Sequence, residues 1–97
     1  MSNSSKTGWL YKQGGRIKTW KRRWFQISGT NIHYYAKQNA EEKGFISLSE
    51  ATDVCVAPEC KKQPALKVVT KKRIYYMQAD TESDRNEWIE AFQKARH

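Results

Sequence analysis

Between Trp20 and Ser28 apolar and polar residues share out two faces with a period of two, and that parity restricts the fold strongly. In an extended strand, residues i and i+2 lie on the same face. Phe25 and Ile27 therefore share a face with Lys21 and Arg23, and Arg22 has the opposite parity. If the two apolar residues enter a core, the two cations turn inward with them at the strand's open end. Charges are rarely left unpaired inside a protein, so that end is expected to be a mouth where an anion can sit.

The residues ahead of this strand point the same way. Lys12 to Phe25 carries six positive charges (Lys12, Arg16, Lys18, Lys21, Arg22, Arg23) and no negative one. Gly14-Gly15 reads as a loop between two strands, because glycine permits close backbone approach and positive φ. A cationic loop with exposed amide N–H groups suits phosphate. The plainer alternative is a solvated basic hairpin that serves solubility. Ile17 is an apolar tip between Arg16 and Lys18, placed either to enter a membrane interface or to cover the loop.

The rest of the chain repeats short alternating segments. Strands are predicted at Gly8–Lys12, Trp20–Ser28, Asn31–Lys37, Gly44–Leu48, Ala51–Ala57, Ala65–Thr70 and Arg73–Ala79. Leu10 and Lys12 share a face on the first, and Ile32, Tyr34 and Ala36 share one on the third. Leu66 and Val68 face inward on the sixth strand, with Tyr75, Met77 and Ala79 inward on the seventh. A tight basic turn, Lys71-Lys72, joins those two. After Ala79 the period becomes helical: Thr81 with Asp84 forms a capping signature, and Trp88, Ile89, Phe92 and Ala95 fall on one stripe. Seven short strands and one amphipathic helix predict a mainly β, barrel-like sandwich whose helix covers one open end. The other end then stays open.

A chain of 97 residues is one domain with a modest core. Residues 1–6 are a Ser/Asn-rich tail expected to be disordered, and residues 7–97 form the domain. No run approaches the ~20 apolar residues of a membrane span, and no signal peptide is visible. Cys55 and Cys60 read as free thiols of a reducing, cytoplasmic compartment, and with His33 and His97 they are too few and too scattered for a zinc site. Neither paired carboxylates nor a nucleophile–histidine arrangement is evident, so no enzyme, metal or cofactor is expected. The net charge of +8 calls for an acidic partner. Its distribution is polarised, with no acid before Glu41 and five between Asp80 and Glu90.

Three features together resemble the pleckstrin homology (PH) domain over essentially the whole chain. They are Gly8-Trp9-Leu10-x-Lys12, Lys18-Thr19-Trp20-Lys21-Arg22-Arg23-Trp24-Phe25, and Tyr75-x-Met77-x-Ala79 followed by Glu87-Trp88-Ile89. The basic stretch from Lys18 to Phe25 most resembles the subset that binds 3-phosphorylated phosphoinositides, such as cytohesin, Akt-type and dual-adaptor or tandem-PH adaptor domains. The resemblance implies a seven-stranded bent antiparallel fold capped by one C-terminal helix. It also implies that Lys12 and Arg23 clasp the 3-phosphate, that Lys21 touches the phosphates, and that Tyr34 and Lys43 hold the 4-phosphate. Arg16 matches a loop position that reaches the headgroup. Ile17, Lys18, Lys71 and Lys72 are expected at the membrane surface. The turn at Lys71-Lys72 lacks the long insertion of cytohesin-type domains, so PtdIns(3,4,5)P3 and PtdIns(3,4)P2 are both expected ligands.

The implied function is recruitment from the cytoplasm to the cytosolic face of the plasma membrane, with phosphoinositides and other anionic lipids as partners. The alternative is a protein-interaction module with only weak, nonspecific attraction to anionic lipid. Nucleic-acid binding is not expected, because stacking needs aromatics exposed on the basic face, whereas Phe25 and Tyr34 share parity with core residues.

Overall fold

The structure, a computed structural model, describes residues 6–15 and 18–96. Seven antiparallel strands are followed by one helix: β1 (Thr7–Gln13), β2 (Trp20–Ser28), β3 (Asn31–Tyr35), β4 (Glu42–Ser47), β5 (Ala51–Val56), β6 (Ala65–Thr70), β7 (Ile74–Gln78) and α1 (Glu82–Ala95). They form one sheet in the order β4-β3-β2-β1-β7-β6-β5. The fold class read from the sequence is the one observed.

The bend of the sheet lies at β1. This strand pairs with β2 along its whole length, from Thr7↔Gln26 to Gln13↔Trp20, but with β7 only at Tyr11↔Gln78 and Lys12↔Met77. The sheet folds over that short seam. Its concave side then encloses Leu10, Phe25, Ile27, Ile32, Ile46, Leu66, Val68 and Met77. Wherever two-residue parity assigns one of these inward, the structure agrees.

Helix α1 closes one end. Thr81 caps it, its Oγ1 accepting the Asp84 N–H at 3.0 Å. Trp88, Ala91, Phe92 and Ala95 are buried, and Trp88 meets Phe25 edge-on with ring centroids 6.3 Å apart. Truncating an aromatic anchor of this kind costs about 3–5 kcal/mol. Two side chains of α1 also tie down the exposed edge of β5: Gln93 donates to the Val54 carbonyl at 2.9 Å and Arg96 to the Ala51 carbonyl at 3.2 Å. Gly8 lies against Trp88, and Lys12 is four residues further along β1. At about 3.3 Å per residue, the helix-capped end and the Lys12 end stand about 13 Å apart.

Several boundaries differ from the sequence reading. β3 ends at Tyr35 rather than Lys37, because a bulge at Tyr34/Tyr35 breaks the ladder and a turn follows, with Asn39 at φ 63°. β4 starts at Glu42, and Leu48–Glu50 forms a single 3₁₀ turn instead of extending the strand. Arg73 lies in the β6–β7 turn, where its carbonyl accepts from the Thr70 N–H and hydroxyl, so β7 begins one residue later. On α1 the buried stripe includes Ala91, and Ile89 packs at its margin.

Lys6, which the sequence reading places in the tail, is held by the helix. Its ammonium lies 3.2 Å from Glu87, 3.6 Å from Asp84 and 5.0 Å over the Trp88 ring. The remainder of that tail, residues 1–5, lies outside the described residues, as do Arg16, Ile17 and His97. Among the described residues, no helix is long and apolar enough to cross a membrane.

Candidate functional site: a basic cavity at the open end

At the end of the fold away from α1 is a cavity of about 590 Å³. β1 contributes Lys12, β2 contributes Lys21 and Arg23, and β3 and β4 contribute Tyr34 and Lys43. Gly14 and Thr19 complete the lining from the β1–β2 loop. Five of the six residues expected to bind phosphoinositide therefore converge on one space. The sixth, Arg16, lies outside the described residues.

Strand register explains the convergence. Lys12 pairs with Lys21 across β1 and β2, Phe25 with Tyr34 across β2 and β3, and Tyr34 with Gly44 across β3 and β4. Each inward position thus abuts the next. Gly44 has a specific part in this arrangement. A Cβ there would stand 2.5 Å from the Tyr34 hydroxyl, so only glycine lets the phenol lie across β4.

Lys12 is the most unusual residue of the site. It is the one polar or charged residue buried among those described, at 8% exposure. Its ammonium rests 4.7 Å from the Tyr34 ring centroid and 5.7 Å from that of Tyr75, and donates only a long bond, 3.5 Å, to the Gln13 carbonyl. Aromatic faces compensate a cation by about 0.5–2 kcal/mol, less than the desolvation of an unpaired ammonium. Burial, with the nearby Arg73 and Arg23 guanidinium groups adding repulsion, pulls the Lys12 pKa down to about 8. The Tyr34 phenol is pushed up by the same burial, opposed in part by those arginines. Among the described residues, no carboxylate lines the cavity. Glu42, next to Lys43, turns instead to His33, Oε1 lying 3.1 Å from Nδ1.

Arg22 has the opposite parity and sits outside, its guanidinium 4.1 Å over the Trp9 ring. Lys18 lines a neighbouring hollow with Arg73 and Ile74, on another side of the β1–β2 loop. Lys71 and Lys72 line a separate hollow with Ser49 and Thr52. The β6–β7 turn therefore influences the basic cavity through Arg73, whose charge acts on Lys12, rather than through its two lysines.

Sequence reasoning puts Arg73 at the start of a strand, able to supply charge together with Lys71 and Lys72, but does not count it among the site residues. Its guanidinium stacks 4.1 Å over Tyr75 and reaches the β1–β2 loop, where a Cβ on Gly15 would stand 2.5 Å from it. The signal is present in the chain: Arg73 has the parity of Tyr75 and Met77, as Arg23 has that of Phe25 and Ile27. Gly14 and Thr19 carry no comparable signal, since they line the cavity from a loop whose path no periodicity specifies.

The PH domain family model matches residues 4–97. The chain is a PH domain. Its relatives include a PH domain-containing protein of Dictyostelium discoideum, 37% identical over 97% of this chain and 21% of the relative. Pleckstrin homology domain-containing family A member 7 of Danio rerio is 39% identical over 91% of this PH domain and 8% of that protein. The sequence thus spans only a small part of these relatives. Among solved structures, the carboxyl-terminal PH domain of pleckstrin matches with a TM-score of 0.83 and 34% identity, covering 95% of each chain. The same pleckstrin domain in complex with D-myo-Ins(1,2,3,4,5)P5 matches with a TM-score of 0.82 at 34% identity, over 95% of this chain and 97% of that one. The PH fold is a non-catalytic binding module that commonly binds phosphoinositides, and some relatives carry it within larger enzymes, such as the RAC family serine/threonine-protein kinase homolog of Dictyostelium discoideum.

Proposed function

We propose that this PH domain recruits its host protein to membranes by binding the headgroup of 3-phosphorylated phosphoinositides, PtdIns(3,4,5)P3 and PtdIns(3,4)P2, in the basic cavity. The observation that carries the reading is Lys12, a nearly buried ammonium with aromatic neighbours, two arginines close by and no carboxylate among the described residues of its cavity. A phosphate placed between Lys12 and Arg23 supplies the missing counter-charge. Arg offers it planar paired donors and Lys a reorientable point charge. Lys21 neutralises the same group, while the Tyr34 hydroxyl and Lys43 serve a second phosphate. Ile17 and the lysines Lys18, Lys71 and Lys72 face the bilayer in this reading, and the destination is the cytosolic face of the plasma membrane.

Vesicle sedimentation across the phosphoinositide series tests this, in a neutral phosphatidylcholine background, with Arg23→Ala alongside. Preferential binding to the 3-phosphorylated lipids, lost in Arg23→Ala, is the expected result. Equal binding to phosphatidylserine and to every inositide, unchanged by Arg23→Ala, would sink the proposal in favour of nonspecific attraction.

A further inference from the structure

On the opposite side of the same strands the side chains form another surface, which shares only Thr19 with the headgroup cavity. Tyr11 follows the inward Leu10 and precedes the inward Lys12, so it points outward. Its cross-strand partners are Arg22 on β2 and Gln78 on β7, and two residues along β1 is the pair Gln13↔Trp20. Tyr11, Trp20, Thr19, Gln78 and Lys62 enclose a hollow of about 490 Å³ on this outer face. Lys62 reaches it from the β5–β6 loop, which Gln63 knits to the body. The Gln63 side-chain amide donates to the Ala57 and Cys60 carbonyls at 2.9 and 2.7 Å, and its backbone carbonyl accepts from Gln78 at 2.9 Å.

The chemistry of the hollow restricts what fits it. β1 is paired on both sides here, by β2 and β7, so an incoming segment cannot add as a strand and must be read through side chains. Tyr11 and Trp20 contribute aromatic surface to a lining that is otherwise polar. Every described lining residue carries a hydrogen-bond donor and none is a carboxylate. The nearby acid, Glu59, is engaged by Lys67 at 2.9 Å and by the Tyr76 hydroxyl at 3.0 Å. The matching ligand has apolar rings, unsatisfied carbonyls and a negative charge. A polyproline II helix presents the first two: it has no internal hydrogen bonds, and its rigidity limits the entropy lost on docking against aromatic side chains. Lys62 within the hollow and Arg22 beside Tyr11 supply the complement to an acidic neighbour.

We propose that the outer face at Tyr11, Trp20, Gln78 and Lys62 docks a proline-rich segment of a partner protein that carries an acidic residue beside its prolines. The domain then has two faces that meet at Thr19, one for a headgroup and one for a protein.

Heteronuclear NMR of the full chain, titrated with an oligoproline peptide flanked by glutamates, tests the assignment. The Trp20 indole and Tyr11 resonances move, and those of the buried Trp88 stay. Trp20→Ala weakens binding by roughly tenfold, as loss of an aromatic anchor does. Lys62→Glu, on an exposed loop, weakens the glutamate-flanked peptide by about threefold, in the range of an exposed ion pair, and leaves inositol 1,3,4,5-tetrakisphosphate binding unchanged. A lysine-flanked oligoproline binds more weakly than the glutamate-flanked one. Unmoved Trp20 and Tyr11 resonances at millimolar peptide would overturn the proposal. So would equal binding by a glutamate-flanked Gly/Ser peptide, stronger shifts of these resonances with oligouridylate, or shifts that follow protein concentration alone, which mark another copy of the chain as the occupant.

Discussion

The Lys12 ammonium stands 4.7 Å over the ring of Tyr34, and the two residues come from strands that are not neighbours in the sheet. β2 lies between them, contributing Phe25 against Tyr34 and Arg23 close to Lys12. The contact holds a cation in place through an aromatic face when a negative group would hold it better. Lys12 therefore lowers the stability of the free domain while it prepares the site.

That cost has a pH signature. The Lys12 pKa is about 8 in the fold against 10.5 for the ordinary side chain. Between those values the unfolded chain binds more protons, so stability rises as pH goes from about 8 toward 10.5. The cost is fully present below about pH 8. Lys12→Met is expected to stabilise the free domain at neutral pH by on the order of 3 kcal/mol at most, and to flatten the rise, in urea unfolding at a series of pH values.

Headgroup binding is linked to the same proton. In the proposed binding mode a phosphate beside Lys12 favours its charged form, so binding just above pH 8 takes up a proton. Affinity falls as pH rises above about 8. Calorimetry with inositol 1,3,4,5-tetrakisphosphate in buffers of different ionisation enthalpy measures the uptake, and Lys12→Met abolishes it together with most of the affinity.

Parity separates two neighbouring arginines. Arg23 lines the cavity, and Arg22 stacks on Trp9 outside it. Arg23→Ala is expected to weaken headgroup binding by about 1.5–3 kcal/mol, the range for hydrogen bonds to charged groups. Arg22→Ala changes soluble-headgroup affinity little. On vesicles it loses only a general attraction of about 1 kcal/mol.

Gly44 determines where the Tyr34 phenol can lie. Gly44→Ala places a methyl 2.5 Å from the hydroxyl, so the ring has to leave its present position under the Lys12 ammonium. Overpacking of this kind costs about 1–3 kcal/mol of stability. Headgroup affinity is expected to fall more than it does in Tyr34→Phe, because the methyl displaces the ring whereas the phenylalanine removes only a donor. Unfolding curves and calorimetry on both variants check this.

At the far end, Thr81→Ala removes the α1 cap and costs about 1 kcal/mol of stability in urea unfolding. Headgroup affinity, measured by calorimetry, should stay the same, since Thr81 lies at the helix that closes the opposite end. A change in affinity would mean that the two ends are coupled.

Much of this can be read from the chain because β-strands translate sequence into facing without ambiguity. Alternation turns Lys12, Lys21, Arg23 and Tyr34 to one side, and they meet there. Arg73 obeys the same rule, but the two lysines of the turn beside it obscure its parity. What resists reading is set by tertiary fit. Gly44 owes its identity to a ring on the next strand, Thr19 its place to the path of a loop, and Lys6 its order to an aromatic residue far along the chain. Alternation also overruns the end of β3, because a bulge leaves no mark on hydrophobic period.

The seam of the sheet has a mechanical consequence. Lys12 is one of the two β1 residues that pair with β7, and it also belongs to the continuous ladder with β2. In the proposed binding mode a pull on the headgroup enters the fold at the stitch joining its two halves, on the strand with the longest pairing among the described residues. The grip on the ligand and the closure of the sheet bear the same load, so a domain holding its ligand is braced against opening at the point where it is pulled.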